Sequence, residues 1–173
     1  MRLHFLYGLI LTAILIVVSG FAGKIHARMA EESRIIYPGK SIGAIRLNEP
    51  KPAGVPSFME KAIKEGNIKL DFSDNKTVKK ITITSDQFFV AVSALRIEHN
   101  NAGDVKKFYG NPYLKPAANN KISLRYPLQG LDFEIDRLSE RITAIIIYMP
   151  DKRLRLPESE YRQYREQFKQ MKQ

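Results

Sequence analysis

Apolar residues along this chain fall into short groups, and the spacing inside each group changes from one to the next. From Leu3 to Gly23 there is no Lys, Arg, Asp or Glu, and Leu9 to Val18 is almost purely aliphatic. About 20 such residues at roughly 1.5 Å rise each would span a bilayer core. The segment therefore predicts one N-terminal apolar helix over 1–23, either a signal anchor or a cleaved signal peptide. Residues 24–34 are polar and mixed in charge, which suits a tether. After a turn at Pro38 and Gly39, Ile42, Ile45 and Leu47 suggest a short extended segment. Val55, Phe58, Met59, Ala62 and Ile63 follow helical spacing, with Pro56 placed for the start and Gly66 for the end. Ile68, Leu70 and Phe72 then alternate with polar residues, and Val78, Ile81 and Ile83 form a returning strand, so 67–84 reads as a hairpin.

The pattern recurs. Phe88 to Ile97 is a β-rich run, and Asn101 to Tyr109 is a short helix stopped by Gly110. Alternating strands follow at Ile122, Leu124 and Tyr126, then at Leu131, Phe133 and Ile135, and a β-branched run covers Ile142 to Met149. At an offset of 50, Ala44, Arg46, Val55 and Phe58 meet Ala94, Arg96, Val105 and Phe108, and beyond the helices the spacing grows to 63 or 64. Tyr161, Tyr164, Phe168 and Met171 recur at helical steps near the C-terminus. These elements predict an α+β chain of two tandem units, 35–86 and 87–151. In each unit a short helix packs on an antiparallel β-sheet. The apolar N-terminal helix precedes them, and a basic amphipathic helix over 152–173 follows.

Composition narrows the chemistry. Cysteine is absent, which excludes disulfides, thiolate metal sites and cysteine nucleophiles. Two of the three histidines lie in or beside the N-terminal segment, leaving His99 alone in the folded part. No glycine-rich phosphate loop or Gly-x-Ser-x-Gly turn is present. Asp132, Glu134 and Asp136 share one strand face. They read better as a solvated face than as acid–base or cation-binding carboxylates. Asp71, Ser73 and Asn75 begin like a calcium loop but lack its glycine and terminal glutamate, so a plain turn is expected. No catalytic, cofactor or metal site is predicted.

The net charge is +10. Its densest stretch is the tail, where Arg153, Arg155, Arg162, Arg165 and Lys169 interleave with Tyr161, Tyr164 and Phe168. Those eight residues are the candidate partner-binding set; the alternative is that Tyr161, Tyr164, Phe168 and Met171 pack on the sheet and the charges face water. An acidic protein, anionic lipid or a cell-wall polymer would suit them, and the exported character of the chain argues against nucleic acid.

Val105, Gly110 and Pro112 form V-x4-G-x-P with Tyr109 before the glycine, and alternating strands with a basic hairpin follow. Over residues 92–149 this resembles the SmpA/OmlA (BamE-like) family of small bacterial envelope proteins. As a tandem repeat it is similar to the β-lactamase-inhibitor-protein architecture. The resemblance implies a non-enzymatic envelope module that binds or assembles another envelope protein outside the cytoplasm. The domain would face the periplasm or exterior, membrane-anchored through the N-terminal helix or else secreted. The alternative is an accessory protein that binds anionic lipid or cell-wall polymer. The family's outer-membrane lipoproteins need a cysteine that this chain lacks, so a role in barrel assembly does not carry over.

Overall fold

A computed structural model of the chain describes residues 31–151. The chain divides into two compact units, Met1–Ser33 and Arg34–Gln173. Of the first, only residues 31–33 are described.

In the second unit two sheets form. The small one orders its strands β3-β2-β1-β6: β1 (Ile35–Tyr37), β2 (Ser41–Ile42), β3 (Ile45–Arg46) and β6 (Phe89–Val90). β6 runs parallel to β1. The large sheet is antiparallel throughout, in the order β4-β5-β10-β9-β8-β7. Its strands are β4 (Ile68–Phe72), β5 (Val78–Ile83), β7 (Tyr113–Ala117), β8 (Lys121–Tyr126), β9 (Leu131–Asp136) and β10 (Ile142–Tyr148). Two short helices complete the described residues, α1 (Ser57–Lys64) and α2 (Ala102–Tyr109).

This corrects the predicted fold class. The described chain is sheet-rich, with ten strands and two helices, and it is not two helix-on-sheet units. β5 and β10, one from each predicted unit, pair directly in the middle of a single sheet. The physical reason is that a two-stranded hairpin leaves its backbone edges unpaired and is marginal alone. Joining the two hairpins through β5 and β10 removes two such edges and lets one core serve both. The N-terminal apolar helix and the C-terminal amphipathic helix, at 1–23 and 152–173, lie outside the described residues. The expectation of a transmembrane helix is likewise corrected: among the described residues no helix is long and apolar enough to cross a membrane.

The recurrence in the sequence corresponds to register inside the large sheet. Ile81 pairs with Ile147, Thr82 with Ile146, and Ile83 with Ile145. Thr82 and Ile146 are 64 residues apart and sit opposite each other, so a local two-fold relation passes between them. The flanking strands obey it: Ile68, Leu70 and Phe72 pair with Ile83, Ile81 and Val78, while Leu131, Phe133 and Ile135 pair with Ile147, Ile145 and Ile142. Each hairpin carries one register shift, between Asp71 and Phe72 and between Ile142 and Ala144. The Asn48 N–H donates to Val78 O at 2.7 Å and the Glu98 N–H to Ile142 O at 2.9 Å. Asn48 and Glu98 both adopt positive φ, 64° and 61°.

One face of the large sheet is apolar. Ile81, Ile83, Leu131, Phe133, Ile145 and Ile147 are fully buried there, in a cluster that includes Met59 and Ala62 of α1 and Val105 of α2. Tyr109, Tyr126 and Phe133 form an aromatic trio with centroids 5.2 to 6.2 Å apart. The Tyr126 hydroxyl donates to Gly110 O at 2.9 Å, fixing the end of α2 to β8.

The start of α2 is held by a capping box. Asp104 N–H donates to the Asn101 side chain at 3.1 Å, and Asn101 N–H donates to the Asp104 carboxylate at 3.0 Å. The Asn101 backbone bond, helped by the Asn100 amide, holds the Asp104 carboxyl below its ordinary value. A depressed carboxyl stabilises the fold above its unfolded-state pKa, and that contribution is lost as pH falls through the folded value. Asn101→Ala is expected to cost about 1 kcal/mol in urea unfolding. The variant keeps the residue-101 N–H that lowers the Asp104 carboxyl, so its difference from the parent chain should stay nearly constant through the carboxylate range while both chains lose stability below about pH 4.

Candidate functional site: the outer face of the large sheet

Strand alternation sends every second side chain away from the core. Leu124 and Tyr126 face inward, so Ser123 and Arg125 face outward on β8. By the same rule Asp132, Glu134 and Asp136 point outward on β9, and Ile146 and Tyr148 on β10. Register then lines up a row of residues across the strands: Tyr113, Arg125, Asp132, Ile146, Thr82 and Lys69.

At its centre Asp132 is only 7% exposed, although it lies on the face away from the core. Both carboxylate oxygens are occupied. The Tyr148 hydroxyl donates to Oδ1 at 2.6 Å, and Arg125 Nε donates to Oδ2 at 3.0 Å. A buried charge is tolerated only when paired and hydrogen-bonded in this way. Burial, followed by the hydrogen bond to negative Asp132, pushes the Tyr148 phenol well above the usual tyrosine value. Burial works against the Arg125 charge, but Asp132 outweighs it and the guanidinium pKa is raised. Neither Arg125 nor Tyr148 changes charge near neutrality.

Around this network lies an open hollow of about 540 Å³. Lys79 and Lys80 of β5 stand on one side, and Lys115, Pro116 and Ala117 of β7 on the other. Ile146 and Tyr148 contribute its apolar surface. Residues from β5 and β7 line one hollow although three strands separate them, so the outer face is concave. Four cations line it against two carboxylates, counting Lys79, Lys80, Lys115 and Arg125 against Asp132 and Glu134. Lys80 pairs with Asp71 at 2.6 Å and Glu134 with Lys121 at 3.6 Å. Among the described residues, no ion pair holds Lys79 or Lys115.

The three aligned carboxylates of β9 do share a face, but it is not a plain solvated one. Asp132 is buried in its network, and Glu134 is half-buried beside Lys121. Asp136 accepts from the Ser139 N–H at 2.8 Å, the Ser139 hydroxyl at 3.0 Å and the Leu138 N–H at 3.0 Å, closing the turn into β10. Those bonds, led by the Ser139 N–H, depress its pKa. His99 is exposed, with Nε2 3.8 Å from Asp86. Asp71 is spent on Lys80, and the Ser73 and Thr77 hydroxyls meet at 2.7 Å, as a hairpin turn requires. Among the described residues, no group of three His, Asp or Glu is placed to hold a metal ion. The candidate partner-binding residues Arg153, Arg155, Tyr161, Arg162, Tyr164, Arg165, Phe168 and Lys169 lie outside the described residues.

No family model, no curated protein and no solved structure matches this chain. The hollow's own chemistry therefore carries the functional argument.

Proposed function

We infer that this chain is a non-enzymatic binding or assembly module of the bacterial envelope, working outside the cytoplasm, and that the outer face of the large sheet receives a protein partner. The observation that carries this is the construction of that face. A solvated sheet face needs no buried acid, yet Asp132 is buried there by Arg125 and Tyr148 beneath a concave, partly apolar surface. A rigid polar network with apolar area beside it is the composition of a recognition surface. Asp132 has both oxygens engaged, and Tyr148 keeps its proton far above neutral pH, so the network suits shape and hydrogen bonding better than proton transfer. The resemblance of residues 92–149 to small envelope proteins points the same way.

The test is a cross-linked pull-down of the full-length protein from its native cells, washed at low and high salt, with Ile146→Asp alongside. Ile146 is half-buried on the outer face, and a carboxylate there would spoil the apolar surface; because Ile146 sits opposite Asp132, the variant is used only if its urea midpoint stays near the parent's, with Ile146→Ser taking its place otherwise. A protein recovered at both salt concentrations with the parent chain and lost with Ile146→Asp is the expected result. A partner retained equally by the variant contradicts the placement.

A further inference from the structure

We propose that the hollow on the outer sheet face binds an extended, acidic segment of polypeptide, with a carboxylate seated on Arg125 between the ammonium groups of Lys79 and Lys115. This rests on the assignment of that face as the partner surface and names the chemistry of what it takes.

Three observations carry it. The first is charge. Lys80 and Arg125 have carboxylate partners in Asp71 and Asp132, whereas Lys79 and Lys115 stand on opposite sides of the hollow with no ion pair among the described residues. An anionic ligand completes that arrangement. The second is the guanidinium. Arg125 turns Nε to Asp132 and leaves its side chain 38% exposed. Arginine has five N–H donors in a fixed fork, so the exposed end can engage a second carboxylate while Asp132 fixes its orientation. The third is size and floor. β5 and β7 are four strand steps apart in the order β5-β10-β9-β8-β7. At about 4.8 Å per step the hollow spans roughly 19 Å, the length of about six extended residues. Ile146 and the Tyr148 ring give apolar side chains of such a segment a surface to cover. A flat headgroup layer would meet the lysines but leave that floor empty, so a polypeptide fits better than a bilayer.

The probe is fluorescently labelled octaglutamate, titrated into the full-length protein at low salt. Three comparisons accompany it: the double variant Lys79→Glu/Lys115→Glu, the tail variant Arg162→Glu/Arg165→Glu, and vesicles rich in phosphatidylglycerol. Lys79 and Lys115 are both exposed, so reversing them should leave the thermal midpoint near that of the parent. The proposal expects saturable binding that weakens with salt. It also expects at least a tenfold loss with the groove variant, little change with the tail variant, and no comparable groove dependence for vesicles. Loss with the tail variant alone overturns it, as does vesicle binding that follows the groove charges more strongly than peptide binding does. If octaglutamate ignores the groove charges while Ile146→Asp still loses its partner, the acidic-segment proposal fails and the outer face survives as the partner surface. If octaglutamate follows the groove charges but Ile146→Asp keeps its partner, the proposal stands and the assignment of the partner to that face fails.

Discussion

Replacing Gly130 with alanine is expected to lower the unfolding free energy by about 2–5 kcal/mol. Gly130 lies in the turn between β8 and β9 with φ +65°, where an L side chain costs about 1–2 kcal/mol. A Cβ there would also run into the carbonyl oxygen of Tyr148 and lie 2.9 Å from Gly39 Cα and 3.0 Å from Pro150 N. Those neighbours are backbone or ring atoms that cannot rotate aside, and overpacking of this kind costs about 1–3 kcal/mol. Gly39 shows the same restriction from the other side: it has φ +64°, and its Cβ would meet Pro150 Cγ at 2.6 Å and Gln129 O at 2.7 Å. The two glycines thus lock the β1–β2 turn against the β8–β9 turn. Because Tyr148 N–H donates to Gly130 O at 3.0 Å, displacing residue 130 also disturbs the strand end that carries Tyr148. Gly66 is the control. It has φ +78° but nothing within 4 Å of its would-be Cβ, so Gly66→Ala should lose only the backbone contribution. Equal urea midpoints for the two variants would refute the close approach.

Asp132→Ala is the second large effect. Removing one partner from a fully buried ion pair costs about 3–5 kcal/mol, because the other charge stays behind. Here the Arg125 side chain is 38% exposed and water restores part of that loss, so about 2–3 kcal/mol is expected. Tyr148→Phe should cost about 1 kcal/mol, the worth of one hydrogen bond. Combining the two should cost less than their sum, since both remove the 2.6 Å bond. The Tyr148 phenol provides a separate readout. Asp132 is one cause of its raised pKa, so absorbance titration of Asp132→Ala should show that phenol ionising at lower pH. A raised phenol stabilises the fold fully below the unfolded tyrosine value, and the contribution is lost as pH rises through the folded value. The parent chain should therefore lose stability above about pH 10, and the variant should lose less. An unchanged tyrosine titration would mean that Asp132 does not control the network.

Much of the large sheet was legible from periodicity. Ile68, Leu70 and Phe72, Val78, Ile81 and Ile83, Leu131, Phe133 and Ile135, and the run from Ile142 all fall in strands. The helices were also visible, with α1 slightly shorter than the spacing over 55–65 suggested. The run Phe88 to Ile97 misled. Only Phe89–Val90 is strand, and the chain then turns through positive φ at Val92, Ala94 and Glu98 while still burying Leu95 and Ile97. Burial reached through tight turns carries no alternation to read. β7 gave no signal at all. It is an edge strand with a proline at Pro116 and an exposed Leu114. Which strand lies beside which was beyond periodicity, and that is why the sheet appeared as two units.

The site suffered from the same gap. Asp132 could be placed on an outward face, but Arg125 and Tyr148 reach it only through the pairing of β8 and β10 with β9. One clue was present in the pattern. Ile146 and Tyr148 occupy outward positions of β10, where an ordinary solvated face would carry polar residues. The charge density of the basic tail can be read along the chain, whereas a concave sheet face exists only once the strands are paired.

The claim that a protein partner sits on the outer sheet face is tested most directly by site-specific photo-cross-linking in living cells. A photoreactive residue would be placed at Ile146, with a second version carrying it at Lys64 on α1. A single adduct from position 146, absent from position 64, is the predicted result. The same adduct from both positions, or from position 64 alone, would contradict the account.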